Sequence, residues 1–223
     1  MTMEQGPALR RVVLFDFDGV LIRGDAFAMF VRDRYARARW RKGLVLVLSP
    51  WFLLMLPFSR RRVLRSLVHV GLLGLDEARY RSLSRAFAMA LARRPGLFVR
   101  DGLSALRRHQ AAGDRIVIVT GCEESLARGV LAELGIGDVE VLASQLRPGR
   151  LGLRSDWHNV GRRKVELLAR CGIETWQVAY SDSSHDLPML ASAAEAVLVN
   201  ATPKLCKRVE KALGRSVTRV EWR

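Results

Sequence analysis

Two aspartates follow a short apolar run near the start of the chain, in the sequence Phe15-Asp16-Phe17-Asp18-Gly19-Val20. The apolar run 12–15 predicts a buried strand of a parallel sheet. Because residues two apart on a strand point to the same side, we expect both carboxylates to lie together where the strand ends. Two carboxylates this close repel each other, so a divalent cation or a proton-transfer reaction is the usual reason for such a pair. The alternative, an Asp-Gly turn, accounts for Asp18 but not for Asp16.

Polar residues also follow two later apolar runs. The run 116–119 is followed by Thr120 and Gly121, a hydroxyl and a backbone N–H placed before a predicted helix, and this combination suits a phosphate group. The run 178–180 leads towards Asp182 and Asp186, whose carboxylates can both face one metal ion at a strand-to-helix turn. Lys164 lies 18 residues before Asp182, at the start of a helical stretch. A lysine in that position usually extends into solvent, so its type alone assigns it no role.

Apolar strands alternate with helical stretches, which predicts an α/β fold with a doubly wound parallel sheet. At 223 residues, of which 49% are hydrophobic, the chain can bury a substantial core. Five strands are predicted, at 12–17, 116–121, 139–144, 176–182 and 195–200. The stretch 146–153, with Pro148-Gly149 at its centre, predicts a hairpin. The alternating stretch 218–222 predicts an additional edge strand.

Taken in order, these segments resemble the four motifs of the haloacid dehalogenase superfamily of phosphohydrolases. Its DxDx(T/V) motif corresponds to residues 16–20, and its strand-ending Thr or Ser corresponds to Thr120. Lys164 matches the third motif, and the pair Asp182 and Asp186 matches the fourth. The chain departs from the family at Ser181, where Gly is common. The resemblance implies a Rossmann-like sheet whose first strand lies beside the fourth of the five predicted strands.

The resemblance also implies a two-step reaction with a phosphomonoester. Asp16 would attack phosphorus and form an aspartyl-phosphate. Asp18 would protonate the leaving group and later accept a proton from the attacking water. Mg²⁺ would lie between Asp16, the backbone carbonyl of Asp18 and Asp182, with Asp186 as a direct or an outer ligand. Three residues would bind the phosphate oxygens: Thr120, Gly121 through its N–H, and Lys164.

Nearly a hundred residues separate the first two predicted strands, far more than a crossover helix needs. Residues 24–42, 60–71 and 76–93 have helical composition, so we predict a mostly helical cap at 23–96 and a catalytic core formed by 1–22 and 97–223. Caps inserted at this position in relatives close over the active site, so the cap would shape the leaving-group pocket. Asp25 falls where phosphoserine phosphatases have an acidic substrate contact; the N-cap of the first cap helix is an equally open role.

The segment 43–58, GLVLVLSPWFLLMLPF, contains no charged residue and has basic residues on both sides. It is shorter than the roughly 20 residues of a spanning helix, and Pro50 and Pro57 interrupt it. With Trp40 and Trp51 as anchors, the pattern favours a re-entrant or interfacial hairpin on an anionic membrane. A buried cap helix or a dimer interface is the alternative.

The charge distribution favours the same partner. Residues 23–65 contain 11 Lys or Arg and only two acids, Asp25 and Asp33, and therefore supply +9 of the formal net charge of +15. Nucleic acid is a competing explanation for a pI near 11.1. However, no nucleic-acid-binding module is recognisable, so we expect an anionic membrane and no nucleic acid as partner.

Three scattered cysteines suit a reduced setting, and no signal peptide is apparent, which predicts a location at the cytoplasmic face of the membrane.

Three functional hypotheses remain. Within the superfamily the chain resembles the phosphoserine-phosphatase-like subgroup and, inside it, the phosphatidylglycerophosphatase C family, through segments 16–27, 142–146, 161–168 and 180–190. The leading hypothesis is a Mg²⁺-dependent phosphatase that converts phosphatidylglycerophosphate to phosphatidylglycerol. One alternative is a soluble phosphatase of a small metabolite such as phosphoserine. The other is an inert basic protein that binds membrane or nucleic acid; the motif residues argue against it, and the apolar segment argues against the soluble phosphatase.

Overall fold

A seven-stranded sheet forms the centre of the protein, in a computed structural model that describes residues 10–223. The sheet order is β4-β3-β2-β1-β5-β6-β7, and every neighbouring pair is parallel except the antiparallel β3–β4 pair. The strands are β1 (Val12–Phe15), β2 (Arg115–Glu123), β3 (Glu140–Gly149), β4 (Gly152–Trp157), β5 (Trp176–Ser181), β6 (Ala193–Val199) and β7 (Thr218–Val220). This topology confirms the predicted α/β fold, and β1 lies between β2 and β5, as the resemblance implied. Residues 1–9, part of the predicted core and the place where a signal peptide would begin, lie outside the described residues.

Five helices occupy the interval between β1 and β2 in which the cap was predicted. They are α1 (Ala26–Arg37), α2 (Arg39–Val47), α3 (Ser49–Met55), α4 (Arg60–Leu72) and α5 (Glu77–Ala92). The stretch of helical composition at 24–42 forms α1 and the start of α2, which are separate because the backbone leaves the helical region at Ala38 (φ −128°, ψ 89°). That these helices act as a separate closing domain remains a prediction.

The apolar segment 43–58 covers the end of α2, all of α3 and the turn before α4. Pro50 lies in the first turn of α3, where a missing N–H costs no hydrogen bond, and Pro57 follows the end of that helix. No helix within residues 10–223 is both long and apolar enough to cross a bilayer.

Helices cover both faces of the sheet, which explains why its central strands are continuous apolar runs. One face packs against α6 (Arg100–Ala111), α7 (Glu124–Glu133) and the buried side chains of α1 and α5. The other packs against α8 (Arg162–Arg170), α9 (Leu187–Ala191) and α10 (Pro203–Leu213). The loops at the carboxyl ends of the strands therefore lie at one edge between two packed layers, where α/β folds place their sites.

The predicted hairpin is present, but its turn lies later than predicted. Gly149 pairs with Gly152, so Arg150 and Leu151 form the turn, whereas Pro148 pairs with Leu153 inside the ladder. The predicted edge strand is also present as β7, which pairs with β6.

Candidate active site

Asp16 immediately follows β1 at the carboxyl edge of the sheet. Its backbone N–H donates to the carbonyl of Tyr180 (2.9 Å) and so extends the pairing of β1 with β5. The Asp16 side chain is buried, and its Oδ1 accepts the N–H of Phe17 (2.7 Å). Sheet pairing on one side and this local hydrogen bond on the other fix the carboxylate in place.

Lys164 is buried beneath this carboxylate rather than extended into solvent. It lies in the first turn of α8, is 2% exposed, and its Nζ lies 3.1 Å from Oδ1 of Asp16 and 2.8 Å from Oδ2 of Asp186. A buried ammonium is costly unless it is paired and hydrogen-bonded. Burial alone would lower the pKa of Lys164, but the two carboxylates outweigh it and raise the pKa. Lys164 is therefore held in its charged form.

Ser181, the family departure, has a structural role in this protein. Its Oγ donates to Oδ2 of Asp186 (2.8 Å) and accepts the N–H of Ser183 (3.1 Å). Burial would raise the pKa of Asp186, but the charge of Lys164 and the hydrogen bonds of Asp186 with Asp16, Lys164 and Ser181 outweigh it and lower the pKa. Because Lys164 and Ser181 share Oδ2 of Asp186, that carboxylate fits better as the group that orients Lys164 than as a direct metal ligand.

Asp18 lies two residues after Asp16, and its Oδ1 accepts the N–H of Ala26 at the start of α1 (2.8 Å). Burial raises the pKa of Asp18 to about 7, although the Ala26 hydrogen bond opposes the shift. A carboxyl group with a pKa near neutrality can both donate and accept a proton at that pH. Asp18 thus has the property that an acid and base needs.

Gly19 and Asp182 are packed against each other. Gly19 has φ +78°, which favours glycine, and a Cβ at this position would overlap the carboxylate of Asp182. The Asp182 carboxylate therefore lies against the peptide that carries the carbonyl of Asp18. This contact brings together the loops that follow β1 and β5.

The oxygen atoms at this edge suit a hard divalent cation. Burial raises the pKa of Asp16, an effect that Lys164 opposes and Asp186 increases, and burial and Asp186 also raise the pKa of Asp182. Lys164 therefore offsets the charge of these carboxylates only in part, and Mg²⁺ would supply further positive charge. No group of three or more His, Cys, Asp or Glu side chains within residues 10–223 is arranged to hold a metal. The ligand set that the resemblance implies, the carboxylates of Asp16 and Asp182 with the carbonyl of Asp18, uses only two side chains and remains a prediction.

Thr120 and Gly121 lie near the carboxyl end of β2, the strand that neighbours β1. Phe15 and Ile118 form the last pair of the β1–β2 ladder, and Thr120 follows Ile118 by two residues. Thr120 is fully buried, and its Oγ1 accepts the N–H of Cys122 (2.9 Å). β2 continues beyond the predicted end at 121 as far as Glu123 before α7 begins.

The backbone at Gly121 is fixed by residues that the sequence analysis missed. Ser144 Oγ donates to the Gly121 carbonyl (2.7 Å) and accepts the N–H of Asn159 (2.9 Å). A Cβ at Gly121 would lie only 3.0 Å from Cγ2 of Val160. The loop before α8 therefore packs directly on the predicted phosphate-binding residues.

A second missed contact joins an inserted helix to the same loop. The hydroxyl of Tyr80, in α5, donates to Oε2 of Glu123 (2.5 Å), and this oxygen also accepts the N–H of Leu126 in the first turn of α7. Both side chains are buried. This contact ties α5 to the strand end that follows Thr120.

Asp25 has the capping role that the sequence left open. Its Oδ1 accepts the N–H of Ala28 (2.7 Å) at the start of α1, and the residue is exposed. The substrate contact for Asp25 remains a prediction.

Two histidines lie near the site residues in the sequence. His185 is exposed, and its Nδ1 lies 3.0 Å from Ser183 Oγ. Nδ1 of His158 lies 3.5 Å from Ser144 Oγ.

Comparisons with known proteins identify both a family and a shared fold. Residues 13–191 match the family of haloacid dehalogenase-like hydrolases. Protein CicA from Caulobacter vibrioides is 32% identical over 207 residues, which cover 87% of this chain and 88% of that protein. A protein of unknown function from Bordetella pertussis Tohama I superposes with a TM-score of 0.68 at 20% identity, covering 95% of this chain and 99% of that one. A phosphoserine phosphohydrolase-like protein from Francisella tularensis superposes with a TM-score of 0.61 at 14% identity, covering 94% of each chain.

Proposed function

Because the chain belongs to the haloacid dehalogenase-like hydrolases, we propose that it hydrolyses phosphomonoesters, with Asp16 as nucleophile and Asp18 as acid and base. The observation that carries this proposal is the buried ion pair between Asp16 and Lys164 at the carboxyl end of the central strand β1. Buried charges of this kind are concentrated at functional sites. Mg²⁺ bound by Asp16, Asp182 and the Asp18 carbonyl would neutralise charge on the phosphate. Lys164, Thr120 and the N–H of Gly121 would bind phosphate oxygens as charge develops.

We propose further that the substrate is a lipid phosphate, with phosphatidylglycerophosphate as the leading candidate. Nine of the eleven exposed large apolar side chains among the described residues lie between 40 and 64. The most exposed of these nine are Phe58 (77%), Val47 (75%), Leu46 (73%), Leu53 (69%) and Leu54 (63%). Large apolar side chains grouped in this way mark a partner or membrane surface.

The charges around these side chains favour an anionic membrane. Arg39 and Lys42 at the start of α2 and Arg60, Arg61 and Arg62 at the start of α4 are exposed beside the apolar segment. Basic residues near an anionic leaflet contribute about 1 kcal/mol each to binding. A lipid substrate could keep its acyl chains in the leaflet while its terminal phosphate reaches Asp16. This arrangement would place the protein at the cytoplasmic face of the membrane.

A variant with Leu53, Leu54 and Leu56 replaced by serine tests the lipid proposal. These side chains lie on or just after α3 and are exposed, so the substitutions should leave the core intact. We expect the variant to bind phosphatidylglycerol vesicles at least tenfold more weakly in sedimentation assays, because each leucine transferred from water contributes up to about 1.5–3 kcal/mol. Hydrolysis of lipid phosphate should fall in parallel, while hydrolysis of p-nitrophenyl phosphate should be unchanged.

Leu151→Ser is the matched control, because Leu151 is 71% exposed but lies on the β3–β4 turn. It should bind vesicles as the parent does. Parent protein that never sediments with vesicles, or a triple variant that still does, would contradict membrane binding and favour the soluble phosphatase. Absence of hydrolysis with both kinds of substrate would contradict the phosphatase proposal itself.

A further inference from the structure

The carboxyl end of β2 is held in place by two side chains from outside the strand. Ser144 donates to the carbonyl of Gly121 (2.7 Å), and two residues later Oε2 of Glu123 accepts the hydroxyl of Tyr80 (2.5 Å). Gly121 is one of the predicted phosphate-binding residues, and Tyr80 belongs to the inserted helix α5. The backbone beside the predicted phosphate position is therefore fixed partly by the core and partly by the insert.

Glu123 depends on the Tyr80 hydroxyl. Both side chains are buried, and a buried carboxylate needs hydrogen-bond donors. Oε2 of Glu123 takes one from Tyr80 and one from the N–H of Leu126 (3.0 Å), so that Glu123 also caps α7. Burial raises the pKa of Glu123, and the hydrogen bond from Tyr80 is the largest effect that lowers it. Removal of this hydroxyl would leave the carboxylate with one donor fewer where β2 turns into α7.

The ring of Tyr80 is fixed independently of its hydroxyl. It packs edge-on against Phe30 of α1, with centroids 5.4 Å apart, and Phe30 packs in the same way against Phe87 of α5 (5.5 Å). Further along α5, a Cβ added at Gly129 of α7 would lie only 3.2 Å from Cβ of Ala88. The hydroxyl is therefore presented to Glu123 from a fixed position, and Tyr80→Phe would keep the ring contacts.

The insert also contacts the half of the site that contains Asp18. The N–H of Ala26, at the start of α1, donates to Oδ1 of Asp18 (2.8 Å). This hydrogen bond comes from the backbone of α1, whereas the end of β2 is held by a side chain of α5. Loss of the Tyr80 hydroxyl should therefore affect the phosphate-binding half of the site more than Asp18.

A cavity of about 340 Å³ lies beside the contact between Tyr80 and Glu123. Its other walls include Gln145 and Leu146 of β3 and Leu153 of β4. Because side chains do not fill this space, packing on that side cannot replace the hydrogen bond if the hydroxyl is removed.

We infer that Tyr80 is a positioning residue through which the inserted helices control phosphate binding at Thr120 and Gly121. The inference rests on the proposed function for the role of those two residues. The Tyr80 hydroxyl holds Glu123, and Glu123 holds the turn from β2 into α7 that follows the N–H of Gly121. By linkage, phosphate bound at Gly121 would in turn stabilise the contact that holds α5. The position of the insert and the occupancy of the phosphate site are thus coupled.

Tyr80→Phe tests the inference, because it removes the hydroxyl and keeps the ring. Tyr35→Phe is the matched control, since the Tyr35 hydroxyl donates to the carbonyl of Leu67 (2.6 Å) and so joins two inserted helices, α1 and α4, to each other. The measurements are the Kd of inorganic phosphate by calorimetry with Mg²⁺ present, and KM and kcat for p-nitrophenyl phosphate.

We expect Tyr80→Phe to raise both Kd and KM at least about fivefold, the lower end of ordinary coupling between sites. The value of kcat should change less, because Asp16 and Asp18 keep their contacts. Tyr35→Phe should leave all three values within about twofold of the parent.

Hydrogen exchange provides a readout that a loss of stability alone would not produce. Phosphate should slow the exchange of backbone N–H groups in the first two turns of α5 in the parent, but not in Tyr80→Phe. In a Glu123→Ala background, Tyr80→Phe should raise the phosphate Kd no further, because the hydroxyl already lacks its acceptor. If Glu123→Ala does not fold, as judged by circular dichroism, the comparison of Tyr80→Phe with Tyr35→Phe decides alone.

The inference and the proposed function can fail separately. Equal phosphate Kd values for Tyr80→Phe and a parent that hydrolyses the ester would overturn the inference and leave the proposed function intact. A parent that neither binds phosphate nor hydrolyses the ester would contradict the proposed function, and the inference with it.

Discussion

The carboxylate of Asp182 fills the space in which any side chain at Gly19 would lie. Gly19→Ala should therefore displace the Asp182 carboxylate from its position against Gly19. We expect kcat/KM to fall at least about 10²-fold and the Mg²⁺ concentration for half-maximal activity to rise. Gly113→Ala is the matched control, because Gly113 has nearly the same φ (+79°) but nothing within 4 Å of an added Cβ. Both variants carry a backbone cost of about 1–2 kcal/mol, so equal activities would show that Asp182 is not positioned by this contact.

Asp16→Asn should reduce turnover to background. The amide has nearly the same shape as the carboxylate but cannot attack phosphorus, so no aspartyl-phosphate can form. The measurement is phosphate release from a small monoester, with circular dichroism to verify the fold. Asp156→Asn, at an aspartate in a surface ion pair with Arg147, should be fully active. An Asp16→Asn enzyme within tenfold of the parent rate would exclude covalent catalysis by this residue.

Asp18→Asn should lower kcat by about 10²–10⁴, because an amide can neither protonate the leaving group nor accept a proton from water. A monoester with a good leaving group, such as p-nitrophenyl phosphate, needs less protonation and should lose less in its first step. Equal losses of kcat/KM, which reports the step that expels the leaving group, for poor and good leaving groups would show that Asp18 does not act as the acid.

The same substitution should stabilise the metal-free protein at high pH. The pKa of Asp18 is raised from 3.8 to about 7 on folding, so the folded state binds this proton more tightly than the unfolded chain. Ionisation therefore costs the folded state progressively more between those two pH values, up to about 4 kcal/mol above pH 7, since one pKa unit corresponds to about 1.4 kcal/mol. With chelator present, the Tm gain of Asp18→Asn over the parent should be larger at about pH 8 than at about pH 4. A gain that is the same at both pH values would contradict the burial effect.

Removal of divalent cations should abolish hydrolysis, and added Mg²⁺ should restore it. The basis is the pair of carboxylates at Asp16 and Asp182, whose pKa values are both raised by burial although Lys164 opposes the shift. Asp182→Asn should require more Mg²⁺ for half-maximal activity than the parent. Full activity of the parent in excess chelator would contradict a metal-dependent mechanism.

The strands that carry the site could be predicted because burial on both faces makes 12–15 and 116–119 continuous apolar runs. The hairpin turn was misplaced because Pro-Gly is a strong turn signal. Past Ser144, however, β3 no longer pairs with β2, and a proline is tolerated where one side of the strand has no partner. The break at Ala38 was missed because neither glycine nor proline marks it.

The supporting residues of the site could not be predicted, because their contacts join distant parts of the sequence. Ser144 meets Gly121 across 23 residues, and Tyr80 meets Glu123 across 43. Such polar side chains follow no periodic pattern in the sequence. Their hydrogen bonds depend on which strands and helices become neighbours in the fold. Ser181 was noticed only as a departure from the family, although its hydroxyl orients Asp186.

The apolar cluster beneath α1 and α5 determines which of the inserted helices can move away from the core. It runs without interruption from Val13 and Phe15 of β1 to Phe30 of α1 and Phe87 of α5. Swinging the whole insert outward would expose these side chains, at about 1.5–3 kcal/mol for each. Among residues 10–223, α2 and α3 contribute no side chain to this cluster. We therefore expect α2 and α3 to move more easily than the rest of the insert. A substrate would then enter the site beside these two helices.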